Sequence, residues 1–146
     1  SGTVGACLEG NIAGIPGLAL SQELEREDFL YWDQHRAFRP ETTAALERLV
    51  AALVPQVWHA LVEAHLGEAT TWNVNFPFTP AAIPDLRRTR LGHTTYRDCF
   101  RQKGDQYHFG LATAALDTAP DTDDATLKTG HVSATLLDIK TFGQAL

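Results

Sequence analysis

The chain has 146 residues, 44% apolar and 21% charged, the balance of a globular domain of ordinary size able to bury a core. Its net charge of -6 and pI near 5.4 exclude the basic face with which a nucleic-acid binder displaces counterions, so no duplex partner is expected. A small phosphate ligand stays open, because local donors decide that. Two cysteines, Cys7 and Cys99, make neither a metal spacing nor a disulfide framework, which points to a reducing, cytoplasmic compartment. No apolar run approaches the roughly 18 residues of a bilayer span, so no membrane partner is expected either.

Thr3 to Ala13 predicts a short helix, with Gly14 as its left-handed stop and Ile15-Pro16 preventing continuation. Its start gathers Ser1, Gly2 and Thr3 where unpaired amides and the positive end of the helix dipole collect, an end that binds anions. Thr3 would serve equally as a plain N-cap. Gly17 to Ser21 predicts a buried strand, which makes an αβ unit whose preceding strand would lie before Ser1. Gln22 to Pro40 mixes aromatic and charged residues with no clean period and is expected to be a surface loop with at most a helical turn.

From Glu41 a helical pattern carries Leu46, Leu49, Val50, Leu53 and Val54 on one face. Pro55 lacks an amide hydrogen and costs about 3 kcal/mol inside a helix, so it is expected to kink that helix or to start a second one ending at Gly67. Trp72, Val74 and Phe76 alternate with Asn73 and Asn75, which predicts a strand over 71–76 with one polar face. Leu86–Leu91, Tyr96–Gln102 and Gln106–Leu111 predict short strands, the last two joined by a turn at Lys103-Gly104-Asp105. Asp117 to Asp124 reads as an acidic turn-rich loop, and a closing strand or helix follows from Thr126 or Thr129.

Three blocks carry a resemblance. The first is Ser1-Gly2-Thr3-Val4-Gly5-Ala6 with Glu9-Gly10 and Gly14-Ile15-Pro16-Gly17-Leu18-Ala19-Leu20-Ser21. The second is Trp72-Asn73-Val74-Asn75-Phe76-Pro77 with Arg88-Thr89-Arg90-Leu91-Gly92, and the third is Thr122-Asp123 with Gly130-His131-Val132-Ser133-Ala134-Thr135-Leu136. In order and spacing the chain resembles the C-terminal portion of the SurE survival proteins, metal-dependent nucleoside monophosphate phosphatases.

The resemblance implies an α/β fold: a Rossmann-like three-layer αβα core with a projecting β-hairpin, here lacking its N-terminal strands. It divides the single domain into core residues 1–85, a hairpin and oligomerisation segment 86–112, and a closing segment 113–146, with a homodimer or homotetramer as the assembly. It also implies release of phosphate from nucleoside 5′- or 3′-monophosphates or small phosphomonoesters, with Ser1, Gly2 and Thr3 holding the phosphate. The divalent ion, Mg or Mn, would be held by an Asp pair, a Ser and an Asn upstream of Ser1. No metal ligand is expected within this sequence, its catalytic residues stay unassigned, and the segment alone is expected to be inactive. The rival reading is a non-catalytic phosphate-binding or assembly module.

Other polar groups are read more plainly. Asp121, Asp123 and Asp124 suit a solvated turn better than a cation site, so Thr122 and Asp123 are expected to order a loop or support the site. Asn73 and Asn75 share a face and could orient a ligand or only bond a sheet edge. The six histidines form no ligand motif, and His131 is expected to be a packing substitution. Trp32, Trp58 and Trp72 are expected in the core rather than as a stacking platform.

Overall fold

The computed structural model describes residues 2–63, 69–97, 99–110, 112–115 and 117–141. Ser1 and the expected ends at Gly67 and Leu111 lie outside them. Helix α1 (Gly2–Ile12) ends at Gly14, whose φ of 81° is the left-handed stop the sequence predicts. Strand β1 (Gly17–Gln22) follows at once. Gly17 is required there: a Cβ would stand 2.5 Å from the Thr71 hydroxyl and 2.7 Å from the Cys7 Cβ, so only glycine lets α1 lie this close to the sheet.

The segment 22–40 is not the loop its mixed composition suggests. It forms helix α2 (Arg26–His35), capped at Arg36 in the left-handed conformation. The bond that fixes it is tertiary: buried Asp28 accepts from the Thr42 hydroxyl at 2.6 Å and pairs with Arg39 at 3.5 Å. Helix α3 (Pro40–Val57) begins on a proline, where the missing amide is harmless, and runs straight through Pro55. No second helix starts there. The backbone instead continues as a π-helical stretch, Trp58–Glu63.

Pro40–Glu63 is long and apolar enough by length and composition to cross a bilayer, contrary to the sequence expectation that no run comes near it. One side of it packs on the sheet through Leu53, Val57 and Leu61, with Glu47 and Arg48 on its outer side.

The main sheet has the order β1-β2-β8-β3, where β2 is Thr71–Phe76, β3 is Leu86–Arg88 and β8 is Val132–Leu137. β1 runs parallel to β2, β8 is antiparallel to β2, and β3 is parallel to β8. The registers Leu18 to Trp72, Val74 to Ala134 and Leu86 to Val132 put one apolar face together, and α3 covers it. The opposite face carries Thr71, Asn73, Thr135 and Ser133, and it receives α1 and the short helix α4 (Asp123–Lys128). Helix, sheet and helix layers make the αβα sandwich of an α/β fold.

Two departures concern the segment 86–112. Residues 86–88 belong to the main sheet, because the β8 edge offers Leu86–Arg88 a parallel partner. The excursion beyond them holds two two-stranded pairs: β4 (Thr95–Arg97) with β7 (Ala112–Ala115), and β5 (Phe100–Lys103) with β6 (Gln106–Phe109). The β5–β6 turn places Gly104 at φ 64°, as the sequence predicts. The closing strand β8 does not merely pack back on the core but fills a central position in the sheet. Trp58 is also misjudged: it is 51% exposed on the outer side of the π turn, whereas Trp72 is buried and stacked under Arg88 at 5.4 Å.

Candidate functional site: a cleft between two helices and the strand ends

α1 runs antiparallel to β1, so its first turn returns to the end of the sheet where β1 and β2 finish. Open α/β sheets bind ligands at such an edge, outside the carboxyl ends of parallel strands. A cleft of about 410 Å³ lies there, within the usual range for small-molecule sites. Val4 of α1, Ser21 of β1, Asn73 and Asn75 of β2, and Asp123 and Leu127 of α4 line it. Gly2 and Thr3 are exposed in the turn that carries Val4, and of that turn Val4 alone is among the residues lining the cleft.

The polar face of β2 therefore looks into the cleft. Asn75 donates to the Ser133 hydroxyl at 3.1 Å, which fixes its amide across the β2–β8 pair. Ser21 stands in register with Asn75 and was not singled out in the sequence. The available signal was a hydroxyl closing an otherwise apolar strand.

Thr122 and Asp123 arrive by a different route. Thr122 is fully buried; its hydroxyl donates to Ala119 O at 2.8 Å and accepts from Ala125 N–H at 3.3 Å, so it caps α4 rather than facing the cleft. Asp123 lines the cleft, and its carboxylate accepts from Gly92 N–H at 2.9 Å. The backbone bonds Arg90 N to Asp121 O and Asp123 N to Arg90 O, both 3.1 Å, lay this loop against the end of β3.

Arg90 locks the same junction with its side chain, donating to Asp117 at 2.7 Å and to Asp121 at 3.0 Å. The guanidinium, together with Ala119 N–H, holds the Asp117 carboxyl down at about 2, against an ordinary value of 3.8. The two carboxylates in turn push Arg90 upward. The acidic run is thus a loop tied by one arginine.

His131 is largely buried, its side chain 15% exposed, and it adds polar contacts to its packing. Its ring receives Arg87 at 2.8 Å and contacts Asp85, a cluster at the start of β3 away from the cleft. Among the described residues no three His, Cys, Asp or Glu side chains converge to hold a metal ion. The polar groups lining the cleft are two amides, a hydroxyl and two carboxylates, Asp123 engaged by the Gly92 amide and Asp124 by Lys128.

The model of the survival protein SurE family matches residues 1–98. The chain is 32% identical to 5′-nucleotidase SurE 1 of Burkholderia lata, over 100% of this chain and 54% of that protein. It is 33% identical to 5′-nucleotidase SurE of Bradyrhizobium diazoefficiens, over 99% of this chain and 55% of that one. The chain spans about half the length of the curated relatives it matches. The crystal structure of the SurE protein from Aquifex aeolicus has the same fold, with a TM-score of 0.62 at 22% identity over 97% of this chain and 55% of that one. The family model covers most of the sequence and the αβα sheet agrees with it: the chain belongs to the SurE survival protein family.

Proposed function

We propose that this chain supplies the phosphate-holding half of a nucleoside monophosphate phosphatase. The observation that carries the reading is the meeting of α1's first turn with the polar face of β2 in one cleft, in a chain whose relatives are named 5′-nucleotidases. Amides of Gly2 and Thr3, with the Thr3 hydroxyl, face an incoming anion with the positive end of an 11-residue helix. Ser1 belongs to the same cradle by family resemblance. Asn73 and Asn75 would donate to the equatorial oxygens, and the Asp123–Gly92 bond would keep the opposite wall in place.

The divalent ion of the resemblance, Mg or Mn, would take its ligands from residues upstream of Ser1, since the described residues do not assemble a site for it. The same reading makes the exposed ribbon β5–β6 the contact between subunits, because Phe100, Tyr107 and Phe109 form an apolar surface that water alone covers in one copy.

The test is phosphate release from adenosine monophosphate by a protein in which this chain follows its upstream residues, with Mn or Mg and with a chelator. Metal-dependent release that falls at least tenfold in Thr3→Ala is expected. A folded protein that binds phosphate but releases none across several nucleotides would leave the binding module as the function.

A further inference from the structure

A second concavity, of about 270 Å³, lies just beyond the ends of β1 and β2. Glu23, Leu24 and Glu25 from the β1 exit, Phe78 and Thr79 from the β2 exit, and Lys128 of α4 line it. Leu127 lines both this concavity and the main cleft, so the two meet at one side chain. Its volume falls below the usual range of about 300–1,000 Å³ for a whole small-molecule site, which suits part of a ligand better than all of one.

We infer that this concavity is the nucleoside side of the cleft, taking the base and sugar of a substrate whose phosphate sits at the start of α1. The inference rests on the phosphate-releasing function proposed above. Three features carry it.

The first is direction. Ser21 marks the cleft on β1, and Glu23 follows two residues later, about 7 Å further along at the rise of an extended chain. A phosphate at α1 and a ring beside Glu23 are then separated along the strand, as the two ends of a nucleotide are.

The second is chemistry. Glu23 and Glu25 repel an anion, and Lys128 is already paired with Asp124 at 2.5 Å, so a phosphate is directed to the helix end and a neutral group to this side. Phe78, Leu24 and Leu127 offer apolar surface to a flat ring. One Glu23 oxygen accepts from Phe78 N–H at 3.2 Å, and the other has no donor among the described residues, leaving it for an amino or hydroxyl group of the ligand.

The third is rigidity. The Gln22 amide donates to Phe76 O at 3.3 Å, to Pro77 O at 3.2 Å and to Glu23 O at 3.0 Å, which ties the two strand exits together. The far rim is pinned by Gly130, at φ 78°, whose carbonyl accepts from Ala81 N–H at 2.9 Å. Phe78 and Glu23 are thus held in place before any ligand arrives, which lowers the ordering cost of binding.

Backbone amide NMR titrations of the isotope-labelled chain with adenosine, adenosine monophosphate, ribose 5-phosphate and inorganic phosphate test this directly. Adenosine is expected to move the amides of Glu23, Phe78, Thr79 and Lys128, and inorganic phosphate those of Thr3 and Val4. Phe78→Leu keeps an apolar side chain and should weaken adenosine and adenosine monophosphate about tenfold, within the range of lost base stacking, while inorganic phosphate is unchanged. Glu23→Gln should cost about threefold with the same selectivity. Thr3→Ala should do the reverse, weakening phosphate and leaving adenosine alone. If ribose 5-phosphate binds as tightly as adenosine monophosphate, or both pocket variants bind it like the wild type while phosphate still moves Thr3, the nucleoside subsite is overturned and the phosphate cradle stands. If phosphate leaves Thr3 and Val4 unmoved while adenosine fills the concavity, the subsite stands and the phosphate cradle falls.

Discussion

Strand β2 and the ribbon β5–β6 are both rich in aromatic residues, yet Trp72 and Phe76 are 8% and 5% exposed while Phe100, Tyr107 and Phe109 are 66%, 68% and 64% exposed. β2 has a strand on each side and a helix layer on each face, so its alternation becomes burial. Among the described residues the ribbon pairs only its own two strands and holds one tilted ring pair, Phe100 with Phe109 at 5.3 Å. An isolated two-stranded hairpin is marginal in water. The same residue chemistry thus stabilises one region from within, whereas in the other it stays exposed.

The contrast breaks most readily at Leu53, which is 2% exposed and packed among Val57, Leu61 and Val74. Leu53→Ala should lower unfolding free energy by about 2–5 kcal/mol in urea titration. Phe109→Ala should cost the single chain less than about 1 kcal/mol, the scale of one cross-strand pair. Equal losses would mean that the ribbon is already buried within one copy.

A glycine pair sharpens the contrast. Gly130 and Gly104 both have positive φ, 78° and 64°, but a Cβ on Gly130 would lie 2.4 Å from Ala81 N, whereas Gly104 has open space around it. Gly104→Ala should cost about 1 kcal/mol for its backbone conformation alone. Gly130→Ala should cost about 2–3 kcal/mol in the same thermal melts, since the 79–81 loop must also move. Identical shifts would show that the loop yields freely.

Assembly is the next measurement. Phe100→Ser with Phe109→Ser should shift sedimentation toward the single chain without lowering its melting temperature. A wild-type sedimentation coefficient in that variant would remove the ribbon from the interface.

The smallest expected effect is electrostatic. Because the Asp117 carboxyl lies at about 2 in the folded chain and at 3.8 ordinarily, the folded state favours the ionised form. Its contribution is fully present above the ordinary value and is lost as pH falls from about 4 through 2. Melting temperatures recorded across that interval should fall less steeply in Asp117→Asn than in the wild type. Parallel slopes would mean that water screens the Arg90 contact to nothing.

Periodicity announced α1, β1 and β2 because their packing is local: an apolar alternation beside a glycine stop needs no distant information. α2 was hidden because Phe29, Leu30, Tyr31 and Trp32 follow one another without a helical stripe, and its Glu25 cap makes no side-chain bond. Its anchor, Asp28 to Thr42, spans 14 residues and two elements. β8 likewise reads as a terminal strand, and only its pairing with β2 on one side and β3 on the other puts it mid-sheet. At the cleft, the Thr3 helix start and the Asn73 and Asn75 face were legible, but Ser21 and the Gly92–Asp123 bond depend on chain segments that meet only after folding.

The Arg90 junction has a consequence for how this chain tolerates change. Asp117 N–H bonds to His93 O at 3.1 Å while Arg90 grips the Asp117 carboxylate, so the chain that departs after His93 is closed at Asp117. Its closure is made by the core and owes nothing to the ribbon. Length there can be gained or lost at little entropic cost, each doubling of a loop adding only about 0.6 kcal/mol. An extension closed in this way can change in length while the strand ends and the α1 turn, on the other side of the fork, keep their places.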